Sequence, residues 1–214
     1  MLSAIARNGV MLALFAIVTT ALISLTFSST RDRIRDQQQQ RLLAVLGEVI
    51  PPALHDNLLY QNCTQITDPR LGSAQPHRVY RAYQGQQPVA LAVETTAPDG
   101  YSGNIELVVG ISMAMDVLGV RVIEHKETPG LGDKIETSVS DWIYRFSGMT
   151  FNPDKLSKWQ VKKDGGVFDQ FTGATITPRA VVSAVKNTLI LVEQERTQLL
   201  KANNLCAPDK GEAS

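Results

Sequence analysis

The chain has 214 residues, enough for one domain with a real core plus extra segments at its ends. Its 21 Lys and Arg are matched by 21 Asp and Glu, so there is no basic footprint for nucleic acid. The two cysteines, Cys63 and Cys206, lie far apart, and no CxxC, CxxCH or Cys/His cluster occurs. Iron–sulfur, haem c and structural zinc chemistry are therefore disfavoured, and any electron carried would need an organic cofactor.

From Val10 to Phe27 the run VMLALFAIVTTALISLTF has no charge. At helical rise it is about 27 Å long, close to the hydrocarbon core of a bilayer. Thr19, Thr20, Ser24 and Thr26 dilute its hydrophobicity but can bond back to their own helix. It reads as an uncleaved anchor. A cleaved signal peptide is the competing reading, but the run is long for an h-region and no small-x-small site follows it cleanly. Arg31-Asp32-Arg33 follows at once, which speaks against a buried helix of a soluble protein. One arginine, Arg7, precedes the run, while Arg31, Arg33, Arg35 and Arg41 follow it. The positive-inside rule alone would leave the body of the protein in the cytoplasm.

Residues 31–50 continue as a polar, then amphipathic helix that Pro51-Pro52 ends. His55 and His77 fall in polar, turn-rich sequence and are expected at the surface, since no second ligand sits at metal spacing. From Arg78 the apolar period becomes two. Val79 to Tyr83, a turn at Gln84-Gly85-Gln86, and Val89 to Val93 read as a hairpin. After a loop at Asp99 to Gly103, Ile105 to Ala114 and Val117 to Glu124 read as two more strands. Four strands in sequence predict an antiparallel meander with one face buried.

The sheet delivers the chain to His125-Lys126-Glu127-Thr128-Pro129-Gly130-Leu131-Gly132-Asp133-Lys134, where two glycines and a proline mark a tight turn with accessible backbone. On residues alone this is a strand-to-helix connection. Ser140 to Phe146 reads as a short capped helix, with Trp142 either in the core or walling a site. Ser157 to Lys163 reads as a further strand, and Asp164-Gly165-Gly166 as its turn. The segment Asp169-Gln170-Phe171-Thr172-Gly173-Ala174-Thr175-Ile176-Thr177-Pro178 follows. Thr177 reads as the N-cap and Pro178 as the first residue of a helix whose apolar positions include Val182, Val185, Leu189, Val192 and Leu199. Thr175 then stands just outside a helix N-terminus, where free N–H groups and the macrodipole favour an anion such as phosphate. Taken by itself, such a stretch is most often an ordinary capped helix entry.

Two of these stretches carry a resemblance. Asp-x-x-Thr-Gly-Ala-Thr, within GVFDQFTGATITP, resembles the attachment motif of FMN-binding domains in which the flavin is held by a phosphoester to the last Thr. ETPGLG resembles the second signature of the same domains. They occur in the RnfG (RsxG) component of the Rnf electron-transport complex and in the corresponding component of the sodium-pumping NADH:quinone reductase, and this sequence is more similar to the former. The resemblance implies an α+β fold: an N-terminal transmembrane helix, then an FMN-binding domain with an antiparallel sheet and packed helices. It divides the chain into an anchor (1–30), a juxtamembrane helix and connecting segment (31–77), the FMN-binding domain (78–203) and a C-terminal tail (204–214).

The modified hydroxyl maps onto Thr175. Thr172, Gly173 and Ala174 surround it, and Asp169 stands ready to position a metal or the hydroxyl during attachment, or merely to cap a turn. Thr128, Leu131 and Gly132 are expected to line the flavin or its tail, with Leu131 covering a ring face. Lys134 would favour an anionic reduced flavin, and Lys162 or Lys163 would neutralise the phosphate. No resident metal is implied. The implied function is electron transfer by covalent FMN within a membrane complex coupling redox to ion translocation. The chain would be a redox-carrier subunit, not a stand-alone catalyst. A membrane-anchored binding or structural domain without cofactor is the alternative. Implied partners are the other subunits of the complex, the lipid bilayer, and an ApbE-type flavin transferase that uses FAD and magnesium. The implied location is the bacterial inner membrane with the domain on the periplasmic side, against the charge bias. There, Cys63 and Cys206 are the one pair able to form a disulfide; two free thiols are the alternative.

Overall fold

The computed structural model describes residues 2–206 and divides into two units, residues 1–42 and 43–214. Helix α1 (Leu2–Val49) enters both. In the first unit, Ala6–Arg31 has a mean hydropathy of 2.4 and is long and apolar enough to cross a membrane. Thr19 and Thr26 donate to the carbonyls of Phe15 and Leu22, so these hydroxyls cost little in an apolar surround.

The second unit is built on a five-stranded antiparallel meander: β1 (Cys63–Ile66), β2 (His77–Gln84), β3 (Gln87–Gly100), β4 (Gly103–Ser112) and β5 (Val117–Glu124). Alternation along the strands sends Val79, Leu91, Val93, Leu107 and Val109 to one face. There they join the buried side of helix α2 (Ile176–Lys201), including Val181, Val185, Leu189 and Val192. The opposite face is also covered. Leu46, Val49 and Ile50, at the end of α1, are buried, and Val49 lies on Gly110 and Gly119, where any Cβ on Gly110 would collide with its carbonyl. Glu48 pairs with Arg121 Nε at 2.5 Å, and the same guanidinium lies 4.5 Å from the Tyr144 ring centroid.

Between β5 and α2 the chain forms short 3-10 turns around an aromatic cluster. Trp142 contacts Phe171, Phe146 and Phe168 at centroid distances of 5.1, 5.6 and 6.3 Å, and Trp159 and Phe151 extend the cluster. Trp142 is thus a core residue. The strand expected over 157–163 does not form. Lys162 N–H reaches the Phe168 carbonyl at 2.8 Å, but Gly165, in a left-handed conformation, turns the chain back after that single bridge.

The edge strand β1 is closed by the far end of the chain. Cys63 is disulfide-bonded to Cys206, with Cα atoms 5.2 Å apart. Its N–H donates to Asn204 Oδ1 at 3.0 Å, and its carbonyl accepts from Leu205 N at 2.8 Å. Next to it, the buried guanidinium of Arg81 donates to the carbonyls of Leu200 and Ala202 at 3.3 and 2.6 Å, satisfying the C-terminal end of α2.

His77 departs from the surface position expected for it: it is buried, with Nε2 3.0 Å from Thr96 Oγ1, whose hydroxyl in turn donates to Glu106. It opens β2, which the sequence places at Arg78, so it sits inside the sheet opposite Ile66 of β1 and not in the preceding turn. Burial holds its pKa below the ordinary histidine value, opposed by the charges of Glu106 and Glu94. A neutral buried histidine means that the unfolded state binds the extra proton first. Stability should therefore fall as pH drops below the unfolded value of about 6.5. Thermal melts at pH 7.5 and 5.5 should show a smaller acid loss for His77→Gln than for the wild type. Equal losses would remove His77 as the cause.

Candidate functional site

The two sequence signatures meet at the N-terminus of α2. The first loop starts at His125, whose Nδ1 accepts from Glu127 N at 3.0 Å while Nε2 lies 2.7 Å from Glu136 Oε1. The Thr128 carbonyl accepts from both Leu131 N and Gly132 N at 3.1 Å, and Gly130 N donates to Asp133 Oδ2 at 2.9 Å. This tight turn pushes Leu131 outward, leaving its side chain 41% exposed, and buries Gly132 beneath it. Thr128 is exposed. Lys134 is half-buried, and its ammonium forms no ion pair among the described residues.

In the second loop, Ala174 N donates to the Phe171 carbonyl at 3.2 Å, closing a turn over Thr172 and Gly173. Gly173 has φ +83°, a conformation other residues adopt only at a cost, and a Cβ there would lie 3.2 Å from Leu131 Cδ2. Leu131 therefore packs directly against the Thr-Gly-Ala-Thr turn. Thr172, Gly173 and Thr175 are exposed, and Ala174 is half-buried.

Thr177 and Pro178 do not occupy the expected helix positions. The helix begins at Ile176, and Thr175 stands at the N-cap with φ −80° and ψ −18°, making no capping bond with its side chain. Pro178 falls inside the first turn, where its missing N–H is one the helix does not use. Thr177 is fully buried, and its hydroxyl donates to the Glu127 carboxylate instead of accepting from helix N–H groups. Asp169 is held by Lys162, whose ammonium lies 2.5 Å away and keeps the carboxyl below its ordinary pKa. Its backbone carbonyl accepts from Trp142 Nε1 at 2.8 Å. Among the described residues its carboxylate bonds no hydroxyl of the motif. Lys162 is thereby engaged with Asp169, and Lys163 is exposed.

Glu127 is the residue that sequence reasoning passed over. It is 5% exposed and joins three segments: Oε2 accepts from Thr177, Oε1 accepts from Ser102 N at 2.9 Å, and Gly132 packs against it. Its place as the first residue of ETPGLG was visible, but the partners that give it weight are 25 and 50 residues away.

Residues 100–190, which contain both loops, match the model of the FMN-binding domain, and residues 1–49 match that of the RnfG N-terminal region. The chain is similar along nearly its whole length to proteins named as the G subunit of the ion-translocating oxidoreductase complex. That of Pseudoalteromonas atlantica is 54% identical over 94% of each chain. That of Vibrio cholerae is 52% identical over 96% of this chain and 99% of its own. The chain belongs to the RnfG family, the G subunits of ion-translocating oxidoreductase complexes. Family membership brings with it an FMN-binding domain and the other subunits of a membrane complex, and helix α1 fits a single-pass anchor in such an assembly. Among solved structures, NqrC of Shewanella oneidensis is similar at 22% identity and a TM-score of 0.49, over 72% of this chain and 73% of its own.

Proposed function

We propose that this protein carries FMN as a phosphoester on Thr175 and passes electrons within an ion-translocating complex, its domain lying on the periplasmic face of the inner membrane. The observation that carries the reading is the Thr175 hydroxyl. It is exposed, engaged in no capping bond, and stands at the N-terminus of a helix running to Lys201. A phosphate there meets unpaired N–H groups and the positive end of the helix dipole. The neighbouring side chains leave room: Gly173 has none, Ala174 is small, and Leu131 offers an apolar surface beside the turn.

When bound, FMN supplies electron exchange singly or in pairs, and the protein's task is to hold and tune it. Leu131 would shield one side of the ring, Thr172 and Thr128 would offer hydroxyls, and Gly132 would keep the backbone close. Lys134, free of any acid partner among the described residues, would stabilise added negative charge. Attachment is the work of a separate ApbE-type flavin transferase. The disulfide supports the periplasmic side, since such bonds persist in oxidising compartments. Produced together with its transferase, the protein should fluoresce under ultraviolet light as a denatured gel band and gain the mass of one FMN residue. A dark band of unmodified mass would overturn the reading in favour of a membrane-anchored domain without cofactor.

A further inference from the structure

We propose that Glu127 is the positioning residue for flavin attachment, its carboxylate fixing the first turn of α2 so that Thr175 presents its hydroxyl; the inference rests on the Thr175 reading above. Glu127 is buried and forms no ion pair among the described residues. A carboxylate buried without a cation is costly unless hydrogen bonds replace its water. Here they come from two elements distant in sequence. Ser102 N, in the turn between β3 and β4, donates at 2.9 Å, and Thr177, in the first turn of α2, donates its hydroxyl.

The surroundings are cut to fit this group. A Cβ on Gly132 would lie 2.6 Å from Oε2, and one on Gly100 would lie 3.1 Å from Oε1. An apolar residue would fill the space without the desolvation cost. What the carboxylate adds is direction, because it ties the ETPGLG loop to the first turn of α2 through a single rotatable hydroxyl. Thr175 lies two residues before that hydroxyl and has no capping bond of its own. Its placement is therefore inherited from the Thr177 backbone.

The reaction that depends on this placement is a phosphoryl transfer. The Thr175 Oγ–P bond forms as the pyrophosphate P–O bond of the FAD donor breaks. AMP leaves, and the hydroxyl proton passes to a base on the transferase. Such a step is sensitive to misplacement of the acceptor on the ångström scale.

The test is the rate of flavin attachment to the purified full-length chain in detergent, with transferase, FAD and magnesium, read by in-gel fluorescence well below each variant's melting temperature. Thr177→Val and Glu127→Ala should slow attachment at least about tenfold. Thr177→Ser restores the donor and should attach within about threefold of wild type. So should Glu127→Gln, because its carbonyl can face Ser102 N–H while its amide donates to a Thr177 oxygen free to accept. Leu199→Ala, a cavity at the other end of α2, should melt lower yet attach at the wild-type rate. If Thr177→Val attaches at the wild-type rate, or Leu199→Ala is slowed as much as it is, the positioning role is overturned. Thr177→Val decides this even where Glu127→Ala fails to fold. A wild type that never gains flavin overturns the Thr175 reading itself, and this inference with it.

Discussion

Thr175→Ala should give a folded, membrane-inserted protein with no covalent flavin. The substitution removes the only oxygen of that side chain, and with it the atom able to form the ester. The structural cost should be small. N-cap threonines contribute about 0.5–2 kcal/mol when their oxygen caps the helix, but Thr175 makes no such bond and its side chain is exposed. Thr172→Ala, in the same turn, should keep flavin. Thr177 is a poor acceptor for the phosphate because it is fully buried and donates to Glu127. Intact mass of each denatured variant is the measurement. Thr175→Ala still carrying the mass of an FMN residue would move the site elsewhere.

The second large effect concerns the disulfide. Cys63 and Cys206 are 143 residues apart, so their bond removes much freedom from the unfolded chain. The entropic estimate for a loop of this length is about 5 kcal/mol, and native bonds commonly deliver about 2–5. Cys63→Ala with Cys206→Ala should therefore lower the melting temperature by roughly 10 °C. Alanine suits the fully buried Cys63, where serine would leave a hydroxyl without a partner. Alkylation of thiols in acid-quenched cells should find none reactive in the wild type. Two reactive thiols would overturn the bond and remove the support it lends to the periplasmic side.

What the sequence announced and what it hid follow different physics. The anchor, the period-two strands from Arg78 and the long C-terminal helix were legible because burial repeats there over many residues. Strand β1 was not, since Cys63–Ile66 is too short for a period to declare itself and pairs only through β2. Trp159 and Val161 do alternate toward the core, which is why 157–163 resembles a strand, but no neighbouring strand accepts them. At the site, local chemistry showed which loops matter and misjudged how the helix starts. Thr177-Pro178 is a good cap signal read locally, yet a carboxylate 50 residues upstream draws that hydroxyl away. Glu127 could be named from the sequence but not valued, because both of its partners are distant contacts. The same is true of His77, whose burial is decided by Thr96 and Glu106 on other strands.

The closing of β1 by the end of the chain has a consequence for how the domain comes to exist. Both backbone polar groups of Cys63 on that side are met by residues 204 and 205, and Arg81 waits for the carbonyls of 200 and 202. These are contacts of high sequence separation, the kind that slow folding because the connecting loop must close before they form. A ribosome or an export channel releases residue 63 long before residue 204. Until then the meander has an open edge, available to any other strand. The meander is therefore most exposed to mispairing not when the chain is unfolded but when the sheet is nearly complete, and residues 200–206 end that interval.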